Sequence, residues 1–337
     1  MKGKIGLRRN YFKESRTVFF TNEEFSVNLF RYPSGIEAIE ITNSRGRMVV
    51  LPYMGQMIWD LEFDGVDLKM KSMFAQPKKA DSVIDTYGCF AFHSGLISNG
   101  CPGPDDDHDM HGEMPCAEME SAWLEITDTS VKICGRTEYI KGFGHHYQAS
   151  PSVEIFKEKG SIQMTMNVKN LSGEVMPLQY MCHTNYAYME NAEMKQNLPN
   201  SAFRLRETIP DHVKPTDKWL NYNKRLLNGE ESLKTLNNPQ MYDPEIVFFA
   251  DELNLYQEVV EFEMDSPDGI TFFTSFSTEE LNYATRWLLH NKNQQVAAFV
   301  LPATCRPEGF NAAEKAGTLM MLGAGEEKTF TIETGKK

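Results

Sequence analysis

An all-β fold, a sandwich or barrel of antiparallel strands, is what this sequence predicts, and two observations carry it. The first is a hydrophobic alternation of period two, seen in residues 25–30 (FSVNLF), 35–41 (GIEAIEI) and 161–168 (SIQMTMNV). It returns in residues 256–264, 269–276 and 329–334. Alternation of this kind buries one face of a strand and wets the other. The second is punctuation by turn residues at 33–35 (PSG), 63–65 (FDG), 159–160 (KG), 171–173 (LSG) and 267–269 (PDG). Many short strands separated by such turns are the pattern of sandwiches and barrels.

Residues 210–243 break the alternation. They are polar and charged, with a weak helical pattern around Trp219-Leu220 and Leu226-Leu227. A structureless loop of that length is uncommon unless functional, so the segment reads as an excursion with a short helix or two, covering a site. A helical turn is also expected within residues 278–289, where Ala284, Leu288 and Leu289 follow Thr278-Glu279-Glu280. With no internal repeat and no linker, the 337 residues read as one domain, 1–337, which large all-β folds accommodate.

Composition narrows the partners. Lys and Arg number 34 against 47 Asp and Glu, a formal charge of −13. Such a surface repels phosphate backbones and anionic lipid, so neither nucleic acid nor membrane is an expected partner. No stretch approaches the ~20 apolar residues of a membrane helix, and residues 1–15 lack the apolar core of a signal peptide. The six cysteines form no CxxC pair, as for reduced thiols in a cytoplasmic protein.

Four polar clusters could carry chemistry: residues 105–113 (DDDHDMHGE), 181–188 (MCHTNYAY), 144–146 (GHH) and 302–309 (PATCRPEG). The first offers oxygen and nitrogen ligands for a divalent cation, but its spacing fits neither an EF-hand loop nor HExxH. A solvated loop is the alternative. His183, at the end of an apolar run and among aromatics, suits either a hydrogen-bonded core residue or a proton donor beside a sugar ring. His145-His146 reads as a pair straddling a strand.

Several of these segments resemble the aldose 1-epimerase, or galactose mutarotase-like, superfamily. His111-Gly112 is similar to its "HG" element, and residues 181–188 to its second histidine motif, closest to the "YHxNFGY" form of the DUF4432 branch. Residues 95–100 (GLISNG) resemble that branch's "GLxxxG", and residues 301–304 (LPAT) its "EPAT", with Trp287 where the branch has a tryptophan. Residues 317–319 (GTL) and 323–327 (GAGEE) resemble its closing strand pair. The matches run in order over most of the chain.

The resemblance implies a supersandwich of antiparallel sheets with a few short helices and an open sugar cleft. It implies an isomerase acting on the anomeric or a neighbouring carbon by histidine–carboxylate acid–base catalysis, without a cofactor or metal, on a small sugar, in a chain that could form homo-oligomers. Carried over by position, His183 is the proton donor and His111 orients the sugar. The family glutamate falls at Leu301, which cannot accept a proton, so Glu308 becomes the substitute base and Glu113 the second choice. Tyr186, Tyr188 and Trp287 are expected to stack on the ring, and Asn99, Glu113, Asn185 and Glu245 to bind its hydroxyls. Two rivals stand beside this reading: a carbohydrate-binding protein that lost its base, and a metal-assisted enzyme using the loop from Asp105 to His111.

Overall fold

The computed structural model describes residues 3–210 and 212–337. Two antiparallel sheets face each other. The smaller runs, in spatial order, through Gly3–Gly6, Ser121–Ile126, Ser130–Ile140, His146–Phe156, Ser161–Asn170, Glu327–Lys336, Thr271–Ser277, Val259–Asp265 and Glu193–Gln196. The larger begins with Phe203–Leu205, Ile246–Ala250, Tyr283–His290, Gln295–Ala303 and Met176–Thr184. It continues through Ala91–Leu96, Ile58–Phe63, Gly46–Val50, Glu37–Thr42, Ser26–Arg31 and Thr17–Thr21. The expected all-β sandwich of antiparallel sheets is therefore present.

The alternation read in the sequence is the burial pattern of the smaller sheet. His146–Phe156 alternates strictly between buried and half-buried positions, and Ser161–Asn170 nearly so. The larger sheet differs, because Met176–Thr184 is buried at all nine positions. A strand covered on both faces carries apolar or hydrogen-bonded residues throughout. Here Tyr180 and Cys182 join the core between the sheets, while Met181 packs on the opposite face with Met70, Leu289, Val296, Ala298, Leu301 and Ala303. That opposite face holds the candidate site.

The excursion of residues 210–243 contains the expected helix, Asp217–Leu227. Thr216 caps it by accepting from the Trp219 amide, a bond typically contributing about 1 kcal/mol. The helical segment expected within residues 278–289 is reduced to one turn at its start, closed by the Leu281 amide on the Ser277 carbonyl at 3.0 Å. Tyr283–His290 is a strand, paired with Ile246–Ala250 on one side and Gln295–Ala303 on the other. Its Ala and Leu residues favour helix weakly, and two flanking strands override so small a preference. The second helix, Phe310–Lys315, follows Gly309 and carried no clear periodic signal.

Candidate functional site

The outer face of the larger sheet, roofed by loops, encloses a cavity of about 400 Å³. Its wall includes His111, His183, Glu245, Trp287 and Leu301, with Tyr87, Cys101, Arg206 and His212 around them. Period two aims the strand residues. His183 follows Met181 on the cavity side of Met176–Thr184, and stands opposite Phe92 in the neighbouring strand. The two rings stack at 4.6 Å between centroids, fixing the imidazole plane.

His111 arrives from a loop. Its φ is +67° and that of Gly112 is +76°. A Cβ on Gly112 would lie 2.1 Å from the Ser98 carbonyl oxygen, so the "HG" pair needs glycine for room as well as for conformation. The turn brings the His111 ring to 4.8 Å from that of His183, at 80°. Trp287 stands 5.7 Å from His183 and Tyr87 6.0 Å.

Both imidazoles are almost sealed, at 7% and 3% exposure for His111 and His183. Burial pushes His111 down to about 3, reinforced by His212 and opposed by Glu245. Burial also holds His183 well below its ordinary value, and His111 lowers it further. Both rings are neutral at pH 7.

Among the described residues, Glu245 is the acidic residue of the cavity wall. It is 7% exposed and immediately precedes Ile246–Ala250. Arg206 Nη2 donates to its Oε1, Trp287 Nε1 donates to its Oε2 at 2.7 Å, and His212 Nε2 stands 3.8 Å away. The helix of the excursion braces its backbone, since Trp219 Nε1 donates to the Glu245 carbonyl at 2.7 Å. Burial alone would raise its pKa, but His212 and Arg206 outweigh burial and hold it below the ordinary carboxylate range. It is therefore ionised. Cys101 is the reverse case, since burial, aided by Glu245, pushes its thiol up to about 12 and removes it as a nucleophile.

Of the ten residues singled out from the sequence, the cavity gathers four: His111, His183, Glu245 and Trp287. The other six lie outside its lining. Glu308, expected as the base, has its Oε1 on the Thr208 hydroxyl at 2.8 Å and its Oε2 3.8 Å from Arg306, because its loop turns away after Pro307. Glu113 is structural, accepting from the amides of Leu96 and Ile97 and from the Tyr147 hydroxyl. Tyr186 is a core residue whose hydroxyl meets Thr334 Oγ1 at 2.6 Å between the sheets. Tyr188 donates to the Leu236 carbonyl at 2.8 Å. Asn185 and Asn99 are fully buried behind the histidines.

Leu301, where the family glutamate would stand, is in the wall at 2% exposure among apolar neighbours. The loop from Asp105 to His111 is held by hydrogen bonds within itself and to Gly103 and Asn311. Asp106 accepts from the amides of Gly103 and Asn311, and His108 Nδ1 lies 2.8 Å from the Asp109 carbonyl. Among the described residues no three His, Cys, Asp or Glu side chains converge as metal ligands. His146 pairs with Glu138 at 2.6 Å, away from the cavity. Tyr87, Arg206 and His212 were not found from sequence because no motif marks them.

The family model DUF4432, a domain of unknown function, matches residues 33–335. No curated protein matches the chain. Among solved structures, a presumed aldose 1-epimerase from Klebsiella pneumoniae is 13% identical with a TM-score of 0.76, covering 99% of this chain and 87% of that one. A galactose mutarotase-like protein from Clostridium acetobutylicum is 15% identical with a TM-score of 0.64, covering 94% and 99%. One from Lactobacillus casei is 13% identical with a TM-score of 0.61, covering 89% and 100%. At such identities the likeness is one of fold.

Proposed function

Because this chain belongs to the DUF4432 family and has the galactose mutarotase-like fold, we propose that it is an aldose 1-epimerase-like isomerase that binds a small sugar in the cavity beside His183. One observation carries the reading: two neutral imidazoles and an ionised carboxylate share the wall of a cavity of about 400 Å³. That volume falls in the ordinary range for small-molecule sites. The indole of Trp287 offers an apolar platform for the C–H face of a pyranose.

Anomer interconversion opens the ring: the anomeric oxygen loses a proton, the C1–O5 pair moves to the ring oxygen, and that oxygen gains a proton. Closure on the other face of the carbonyl reverses each step. His183 stands on the ring-oxygen side as a neutral hydrogen-bond donor whose bond strengthens as charge builds on that oxygen, while His111 takes the proton from the anomeric oxygen and returns it to the ring oxygen, so that no net proton is gained or lost. His111 and Glu245 form the accepting side. Glu245, rather than Glu308, is the carboxylate of this site, and its fixed charge stabilises a proton gained by His111. The six free cysteines suit a single-domain chain working in a reducing cytoplasm.

The burial of Leu301 favours a second reading, a carbohydrate-binding protein that kept the cleft without the family base. Saturation-transfer NMR of a monosaccharide panel separates the two, with anomer exchange followed in the same samples. The isomerase reading expects transfer to at least one sugar and accelerated exchange that His183→Ala abolishes. Binding without exchange selects the second reading.

A further inference from the structure

We propose that the cavity contains an apolar subsite on the side of Trp287 away from Glu245, and that its ligand is a sugar carrying an alkyl, acyl or aryl group on a non-anomeric oxygen. The inference rests on the sugar reading above and names the class of sugar.

Trp287 divides the cavity by chemistry. Its Nε1 donates to Glu245 Oε2 at 2.7 Å, while Arg206 donates to Oε1 and His212 stands 3.8 Å from that oxygen. The same indole meets the ring of Tyr87 at 6.1 Å and 90°. Tyr87 in turn packs edge-on against Phe92 at 5.8 Å. Phe92 lies four strands across the larger sheet from the strand that Glu245 precedes. Among the described residues, no Asp, Glu, Lys or Arg lines the cavity on that far side.

What lines it is apolar. Met73, Phe74 and Ile84 come from the loops, and Met181, Leu289 and Leu301 from the floor. The floor residues belong to one cluster, with Tyr87 and Trp287 packed against it. Phe74 rests on a second cluster that contains Val83, Cys89 and Phe92. Lys71 exchanges both backbone bonds with Gln295, at 3.1 and 3.0 Å, and so seats its loop beside the strand pair that carries Leu289. Leu301, where the family glutamate would stand, extends this surface instead of offering a hydroxyl partner.

Met73 is 73% exposed and Ile84 47%, although both line the cavity. A single wet apolar side chain is ordinary, but two at one mouth above an apolar floor form a patch that a ligand can cover. Polar atoms on this side are already engaged by the protein. Ser72 Oγ accepts from the Phe74 amide at 3.2 Å, and Gln294 Nε2 lies 3.8 Å from Met70 Sδ. The Tyr87 hydroxyl is 3.3 Å from both Asn185 Oδ1 and His183 Nε2. Asn293 belongs to the exposed turn after Tyr283–His290.

A sugar hydroxyl placed here would lose water without gaining a partner, which is unfavourable. An apolar group placed here is stabilised by burial, and the flexible thioether of Met73 adapts to its shape. The substituent is not on the anomeric oxygen, because ring opening removes the proton there. Another oxygen of the sugar therefore carries it.

Calorimetric titration of the full chain tests this, comparing glucose, galactose and mannose with their benzyl ethers at each non-anomeric hydroxyl. Expected is at least one ether that binds about tenfold or more tightly than its parent, through burial of the phenyl ring. That gain should disappear when Met73→Ser and Ile84→Ser are combined. Leu255→Ser, which changes an apolar side chain 72% exposed and outside the cavity, should keep it. Thermal midpoints verify that both variants are folded, as replacement of exposed side chains allows. Ethers that all fall short of the gain, or a gain that survives in the double variant, overturn the inference and leave the sugar site standing. Failure of all these sugars and ethers to bind overturns the sugar reading and the subsite together.

Discussion

Two parts of this protein carry histidines beside acidic groups, and they end in opposite states. In the cavity, His111, His183 and Glu245 are nearly solvent-free, and their charges are set by burial and by Arg206 and His212. In the outer loops, Asp106, Glu308 and the His146–Glu138 pair are satisfied by nearby amides, hydroxyls and each other. Residue type does not separate the two sets. What separates them is whether a strand or a constrained turn aims the side chain at the covered face of the larger sheet. Chemistry is expected where that happens, and structural pairing where it does not.

The largest contrast is with pH. Three buried histidines, His93, His111 and His183, have pKa values depressed by burial, two of them to about 3. A depressed histidine binds fewer protons folded than unfolded, so its contribution is intact above the unfolded value near 6.5 and is lost as pH falls toward the folded value. At pH 5 each such ring costs about 2 kcal/mol relative to neutral pH, together a large share of an ordinary domain's stability. A steep drop in thermal midpoint between pH 7 and pH 5 is expected. A flat profile would break the contrast.

Arginines sharpen it next. Arg206→Met strands the buried charge of Glu245 and is expected to destabilise by about 3–5 kcal/mol in urea unfolding. Arg306→Met breaks a more exposed pair with Asp251 and is expected to cost at most about 1 kcal/mol. Similar costs for both would mean that Glu245 is hydrated. Among the carboxylates, Glu245→Gln should lower anomer exchange by about a hundredfold, while Glu308→Gln should change it less than about twofold. Smallest of all, Tyr188→Phe removes only a bond to the Leu236 carbonyl, and sugar affinity should not change measurably.

The fold was legible because most strands are half-buried, which writes burial as alternation; His146–Phe156 is the plain case. Where both faces are covered the code fails. Tyr283–His290, buried or half-buried throughout, reads as easily as a helix. Within the site, His111 and His183 were visible because a glycine turn and a strand end leave a local signature. Glu308 was chosen for its nearness in sequence to Leu301. The carboxylate in the cavity instead comes from the far side of Tyr283–His290, and no local pattern records which strand becomes a neighbour. Tyr186 and Tyr188 share the histidine motif, but alternation and the strand's end turn them into the core.

The central claim is that the cavity beside His183 takes a sugar against Trp287. Saturation transfer from the protein to a reducing monosaccharide, compared between the native chain and Trp287→Leu, tests it directly. The account predicts transfer to the ring protons on one face of the sugar, lost or strongly reduced in the variant under conditions where the variant is still folded, although loss of the Trp287 bond to Glu245 lowers its thermal midpoint. Undiminished transfer in a folded Trp287→Leu protein would contradict it.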